Sequence, residues 1–261
     1  MCRWIAYLGE PIFLEDFVTQ PVQSLIVQSR SSREARTAVN GDGFGLGWYG
    51  ERPEPGLFRD VRPAWSDENL LSLAHQIRSP LFFAHVRAST GTATTRANCH
   101  PFRYGRWLFM HNGKIGGWER LRRKIEMAIP DELFAHRHGT TDSEAIFLLM
   151  LANGLDRDPE GATARTIAFI EGALRSAQEA EPLRCTAAFT DGERIYAVRY
   201  ASNRAPDTLY TRNRRDNSGK LLVSEPLDDG RDDWRAIPAQ SFITLAPGSE
   251  RVEPFEVALA A

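Results

Sequence analysis

The sequence predicts an α+β fold in which layers of sheet and helix pack face to face. Strand-like segments gather at the two ends of the chain, helix-like segments fill its middle, and no regular strand–helix–strand alternation connects them. Composition supports a packed core: 42% of the residues are hydrophobic and 25% charged, as in an average soluble domain. The 261 residues, at ~150 per domain, correspond to about 1.7 domains. There is no internal repeat, low-complexity tract or long linker. The polar stretches Arg52–Pro55, Asn153–Gly161, Tyr210–Lys220 and Asp228–Arg235 are each short enough for surface loops, so a single domain over residues 1–261 is expected.

Along the chain, Arg3–Leu8 sets Trp4, Ala6 and Leu8 against Ile5 and Tyr7, which is apolar on both faces, the pattern of a strand buried on both sides. Gln23–Ser31 reads as a helix and Phe44–Tyr49 as a short strand. Asp67–Arg78 carries apolar residues at helical spacing, and Leu81–Val86 and Trp107–His111 are strands rich in aromatic and branched residues. Three helices follow, at Trp118–Met127, Asp142–Ala152 and Ala162–Gln178. After Pro182 the pattern changes to strands: Thr186–Thr190, Arg194–Tyr200, Leu209–Thr211, Leu221–Ser224 and Phe242–Leu245. Asp191-Gly192 supplies a hairpin turn between the first two.

Several function classes fall away early. Lys and Arg number 32 against 34 Asp and Glu, a formal charge of −2, which lacks the basic surplus of a nucleic-acid binder. No run approaches the ~20 consecutive apolar residues that span a bilayer, so no membrane association is expected. Glu10 and Pro11 interrupt the short apolar run at the start, and no small-residue cleavage site follows, which is unlike a secretion or transit signal. The expected compartment is the cytoplasm, with Cys2, Cys99 and Cys185 as reduced thiols. An odd cysteine count without CxxC spacing argues against a disulfide framework or a cysteine-based zinc site.

Chemistry enters with Cys2. Removal of Met1 would place a thiol and a primary amine on one residue, with ordinary pKa values of ~8.5 and ~8, so the amine can relieve the thiol of its proton near neutrality. The plain alternative is a cysteine that merely begins a strand. His85-Val86-Arg87-Ala88-Ser89-Thr90-Gly91 ends an apolar strand in an arginine and a hydroxyl-rich turn, suited to gripping a carboxylate or, alternatively, to a structural ion pair. His111-Asn112-Gly113 follows the next apolar strand as a turn; an Asn amide and a Gly N–H can converge on one oxygen, although Asn-Gly also makes ordinary turns. Thr141 and Glu144 have capping-box spacing at the start of a helix, which leaves the Asp142 carboxylate for an ammonium group or for the helix dipole.

The ordered set resembles the class II glutamine amidotransferase domain: Met1-Cys2-Arg3, Gly41-Asp42-Gly43-Phe44-Gly45, His85-x-Arg87-x-x-Thr90, His111-Asn112-Gly113, Thr141-Asp142-Ser143-Glu144 and a late Ser224-Glu225-Pro226. The resemblance spans roughly residues 2–255 and implies a four-layer αββα N-terminal-nucleophile sandwich with two mostly antiparallel sheets. It implies Cys2 as nucleophile with its freed amine as base, and Asn112 and Gly113 as oxyanion donors. Arg87 with Thr90 would hold the α-carboxylate of a small-molecule substrate, glutamine or a γ-glutamyl amide, and Asp142 its ammonium. No cofactor and no metal is implied. Ala88 and Gly91 replace a bulky aromatic and a histidine of amidosugar-forming relatives, so a more open pocket is expected on that side. Little chain follows Ser224-Glu225, so no synthase domain is expected. The closer likeness is to stand-alone members, a group that includes ergothioneine-pathway γ-glutamyl hydrolases and glutathione-degrading subunits. A glutaminase subunit serving a separate synthase, and a catalytically silent glutamine sensor, are the alternatives. Joint retention of Cys2, Asn112 and Gly113 favours catalysis over sensing.

Other signals are weaker. Gly45-Leu46-Gly47-Trp48-Tyr49-Gly50 matches a dinucleotide fingerprint, but Glu51-Arg52-Pro53-Glu54-Pro55-Gly56 cannot form the helix that motif needs, so close packing of a glycine-rich strand is expected instead. Cys99-His100 would point to opposite sides of an extended segment. His136 and His138 lack a third metal ligand nearby, and Cys185 reads as core. Arg120, Arg122, Arg123 and Lys124 read as the solvated face of a helix.

Overall fold

Alternating side chains of a central strand face two different cores, and the architecture follows from that. The computed structural model describes residues 2–34, 39–89, 91–230 and 233–258. β1 (Arg3–Phe13) lies between β4 (Arg78–Val86) and β10 (Gly219–Val223) in a seven-stranded sheet. That sheet is completed by β2 (Phe44–Trp48), β3 (Gly56–Asp60), β9 (Tyr210–Asn213) and β11 (Arg235–Ala236), in the order β11-β9-β10-β1-β4-β2-β3. The second sheet holds β5 (Phe102–Tyr104), β6 (Trp107–Lys114), β7 (Arg184–Thr190), β8 (Ile195–Ala201), β12 (Ser241–Ala246) and β13 (Ser249–Pro254), in the order β13-β12-β8-β7-β6-β5. The strand pairings within both are antiparallel.

Trp4, Ala6 and Leu8 of β1 meet Leu108 and Met110 of β6 in the core between the sheets. Ile5 and Tyr7 face the other way, into a core closed by α1 (Glu15–Val18), α2 (Leu25–Arg30) and α3 (Glu68–Gln76). Phe109 and Phe189 of the second sheet pack outward against α4 (Trp118–Glu126), α6 (Asp142–Ala152) and α7 (Pro159–Ser176), with α5 (Asp131–Phe134) alongside. The result is the four-layer αββα sandwich expected. α6 is apolar around its circumference, with Ser143–Met150 all buried, because sheet and neighbouring helices enclose it. Among the described residues no helix is long and apolar enough to cross a membrane.

The departures from the sequence reading have physical causes. β1 continues past Leu8 to Phe13, and its register against β4 shifts between Leu8 and Ile12, the irregularity that accommodates Pro11. The predicted helix Asp67–Arg78 stops at Gln76, because Ile77 is already extended and Arg78 opens β4. The unpredicted β3, β11 and β13 are edge strands with half-buried or exposed residues, which carry no apolar signature. His111-Asn112-Gly113 is not a turn after a strand. It lies inside β6, with Asn112 opposite Thr186 and Gly113 opposite Cys185.

The glycine-rich motif is explained by β2. A Cβ on Gly45 would come 2.1 Å from the His100 carbonyl oxygen, and one on Gly47 would meet Leu108 at 2.7 Å. Gly45→Ala should therefore lower unfolding free energy by about 1–3 kcal/mol, through forced displacement of backbone. Urea denaturation of both proteins checks it.

Candidate active site

The N-terminal end of β1, the C-terminal end of β4 and the end of β6 converge on a cleft of about 680 Å³. Its lining includes Cys2, Arg87, Asn112, Gly113 and Asp142, five of the six residues singled out from sequence. The sixth, Thr90, lies outside the described residues.

Cys2 is fixed by what holds the start of β1. Trp4 N–H donates to the Ser224 hydroxyl at 2.9 Å, and Ser224 N–H donates to the Trp4 carbonyl at 3.1 Å. Arg3, wholly buried, pairs with buried Glu225 at 3.2 Å and donates to the Ser224 carbonyl. Glu225 in turn accepts the Arg33 and Glu34 backbone N–H groups, each at 3.0 Å. The late Ser-Glu-Pro motif thus clamps the root of the nucleophile candidate. Cys2 is half-buried, and its Sγ lies 3.7 Å from the Ala88 carbonyl. Burial pushes the thiol above its ordinary range, while the Ala88 contact and the Arg87 and Arg3 charges pull it back.

Across the cleft, Asn112 is 1% exposed, and its Nδ2 has no hydrogen-bond partner among the described residues. Gly113 has φ +139°, and a Cβ there would lie 2.1 Å from the Arg184 carbonyl oxygen, so only glycine lets the backbone pass. Neighbouring His111 donates from Nε2 to that carbonyl at 3.2 Å, which leaves Nδ1 to accept the Ser143 hydroxyl at 2.8 Å.

The Arg87 guanidinium is knitted into its own loop. It donates to the Asp42 carbonyl at 3.3 Å, Ser89 Oγ at 3.2 Å and Thr92 Oγ1 at 2.6 Å. The Asp42 carboxylate accepts the Ser89 N–H at 2.7 Å, which gives Asp42 a definite part in shaping this wall. Gly91 and Ala88 line the cleft, and a Cβ on Gly91 would meet nothing within 4 Å, so this side is open as expected. Asp142 accepts the Ile115 N–H and its own neighbour Ser143 N–H, each at 2.8 Å. Thr141 caps α6 by accepting the Glu144 N–H at 3.2 Å. The reciprocal half of the capping box is replaced: Glu144 takes the Gly139 N–H at 2.7 Å and Arg137 at 2.6 Å. Asn98 joins the two substrate-side elements, donating to the Ala93 carbonyl and accepting the Thr140 N–H, both at 2.8 Å.

Other signals separate cleanly. The Cys99 thiol is buried against the Asp60 and Thr95 carbonyls, with its pKa raised to about 11 by burial, and it does not line the cleft. His100 does line it, its ring tilted against that of His85 with centroids 4.3 Å apart. Cys185 is core, with its pKa raised to about 12. Among the described residues no three His, Cys, Asp or Glu side chains are grouped to hold a metal ion. The basic run on α4 is only partly a solvated face: Arg120 borders the cleft and pairs with Glu179, beside the Lys114–Glu181 pair at 2.9 Å. Sequence reading missed these pairs, and also missed Asp207. Asp207 lies in a polar connection between β8 and β9 that has no spacing to mark it.

The family model for class II glutamine amidotransferases matches residues 16–217. The chain belongs to the class II glutamine amidotransferases. Within them, it is 34% identical to a probable glutamine amidotransferase of Saccharomyces cerevisiae, DUG3, over 94% of this chain and 82% of that protein. It is 31% identical to the γ-glutamyl-hercynylcysteine sulfoxide hydrolase of Mycolicibacterium smegmatis, over 97% of this chain and all of that one. The solved structure of a glutamine aminotransferase class-II domain protein from Silicibacter pomeroyi superposes with a TM-score of 0.78 at 43% identity, covering 97% and 99% of the two chains. The protein is accordingly an enzyme of this amidotransferase and hydrolase family.

The buried histidines beneath the amidotransferase cleft set a pH response. Burial lowers the pKa of His85 to about 3, and lowers those of His100 and His111 as well. Unfolding restores values near 6.5, so the unfolded chain binds more protons below that pH. Stability is then complete above about pH 6.5 and falls as pH drops, by up to about 1.4 kcal/mol per pH unit for each histidine. Urea titrations at pH 7.5 and 5.5 should show this loss, and His85→Gln should reduce it; an unchanged difference in the variant would exclude His85 as a source.

Proposed function

We propose that the enzyme hydrolyses the γ-amide of glutamine or of a γ-glutamyl compound through a γ-glutamyl thioester on Cys2. Removal of Met1 exposes the Cys2 amine, which takes the thiol proton. The sulfur attacks the γ-carbonyl carbon, and the oxygen that becomes negative is received by Asn112 Nδ2 and the Gly113 N–H. As the tetrahedral species collapses, the C–N bond breaks and the amine or ammonia leaves with the proton. Water then attacks the thioester carbonyl, the carbon–sulfur bond breaks, the water's hydroxyl completes the glutamate carboxyl and its other proton restores the thiol. The polar wall of Arg87, Ser89 and Thr92 receives the α-carboxylate, a role the resemblance also gives to Thr90, and Asp142 receives the α-ammonium.

The observation that carries this reading is the pairing across one cleft of a half-buried thiol with a buried amide nitrogen that has no partner among the described residues. An unsatisfied buried donor costs about 1–3 kcal/mol, and the folded enzyme recovers this when an oxyanion forms there. The named hydrolase relative acts on a γ-glutamyl compound, which supports extending the substrate beyond glutamine. The open side at Ala88 and Gly91 supports it too.

A panel of γ-glutamyl compounds, glutamine included, assayed for glutamate release tests the activity. Cys2→Ser should remove turnover while leaving the circular dichroism spectrum unchanged; substantial residual activity would overturn Cys2 as nucleophile. A glutamine-analogue electrophile should add once to the Met1-free mass. Asp142→Asn should weaken kcat/KM by about 2 kcal/mol or more, chiefly through KM, because the charge holding the ammonium is lost. An unchanged KM would reject Asp142 as the ammonium partner.

A further inference from the structure

Asp207 is a buried charged group in the cleft that the chemistry above leaves unused. It is 7% exposed, its Oδ2 has no hydrogen-bond partner among the described residues, and it lines the same cleft as Cys2 and Asn112. A carboxylate oxygen removed from water without a donor is costly, and a folded protein keeps one where a donor is to arrive.

Its position is fixed from both sheets. The Asp207 carbonyl accepts from Thr186 Oγ1 at 3.3 Å, and Thr186 stands opposite Asn112 in the second sheet. It also accepts from Arg199 Nε at 2.8 Å. The next residue, Thr208, donates to the Ser224 carbonyl at 2.8 Å, the same oxygen that Arg3 engages at the root of Cys2. Asp207 is thereby tethered to β7, the strand paired with the one carrying the amide donor, and through Thr208 to the Ser224 carbonyl that Arg3 also engages. We propose that Asp207 is a positioning residue that receives the ammonium of Cys2 once Met1 has been removed, and that it orients this amine for proton transfer from the thiol. The inference rests on the Cys2 reading given above. Hydrolysis of the Met1–Cys2 peptide bond by a methionine-removing aminopeptidase adds water across that bond, and turns an amide nitrogen with one proton into an amine that can carry three.

Arg3, Arg199 and His111 face the Asp207 carboxylate electrostatically, but none donates to its Oδ2 among the described residues. Arg3 on β1 is paired with Glu225, and Arg199 on β8 donates to the Asp207 and Ile237 carbonyls. Arg87 beyond β4 is bound within its own loop, and His111 on β6, its pKa lowered by burial, is bonded to the Ser143 hydroxyl and the Arg184 carbonyl. Glu34 and Tyr210, beyond Arg199, are bonded to each other. Asp142, on α6, is engaged by the Ile115 and Ser143 N–H groups.

Asp207→Asn in the Met1-free enzyme is the test, read by the pH profiles of kcat and of Cys2 alkylation by iodoacetamide. A carboxylate favours the protonated amine and disfavours the thiolate. Its loss should move both acidic limbs down by about one pH unit. The kcat plateau should fall through lost orientation, with KM within about twofold of the parent. A merely structural role would leave the limbs in place, and unmoved limbs with Cys2→Ser inactive overturn this assignment alone. Activity in Cys2→Ser overturns the thioester reading beneath it. Intact mass showing Met1 on the active enzyme overturns the amine's part in both, while leaving Cys2 to be judged by its own variant.

Discussion

The cleft depends on one buried lashing: the exchange of hydrogen bonds between Trp4 and Ser224, together with the ion pair of Arg3 and Glu225. Cys2 stands one residue before β1 and has no strand pairing of its own, so its location is only as definite as that of Arg3 and Trp4. A terminus is ordinarily among the least ordered parts of a domain unless it is tied down. Here the tie is a charge pair with both members removed from water, an arrangement that is costly to break from one side. The glutamate also gathers the backbone of Arg33 and Glu34, so the same carboxylate fixes the strand and an adjoining segment.

From that anchor the rest of the site divides between the two sheets. The first brings Cys2 and Arg87, each one residue beyond the end of neighbouring antiparallel strands, and the second brings Asn112 and Gly113 from β6. The helical layer contributes Asp142 at the first turn of α6, held by the Ile115 N–H just beyond β6. Asn98 spans from the Arg87 loop to the residue before the cap of that helix, so the cationic and anionic ends of the cleft share a hydrogen-bonded bridge through one buried amide. The cleft is thus an intersection of layers, not a feature of any one of them.

Much of this was legible in the residues alone, for reasons that differ between parts of the chain. Strands that face two cores, such as Arg3–Leu8, announce themselves by apolar residues on both sides, and α6 by an apolar run behind a threonine cap. Edge strands like β13, with Ser249–Pro254 half or fully exposed, have no reason to be apolar and left no trace. Asn112-Gly113 shows the limit of local chemistry: the dipeptide favours turns, yet pairing with Thr186 and Cys185 holds it in a strand, a case of tertiary pairing overriding local preference. Asp207 and the Glu179 and Glu181 pairs reach the cleft through long-range packing, which no spacing along the chain encodes. Glu144 was found at the right place, but its carboxylate binds Gly139 and Arg137 instead of closing the capping box.

That Asn112 belongs to a strand has a mechanical consequence. β6 is paired with β5 on one side and β7 on the other, and its flanking residues reach cores on both faces of the sheet. A side chain mounted there moves only if the sheet moves, so in the proposed reaction Asn112 would meet the ligand already stiff. Whatever accommodation the cleft makes for ligands of different girth must come from the opposite bank, where Gly91 has empty space about it.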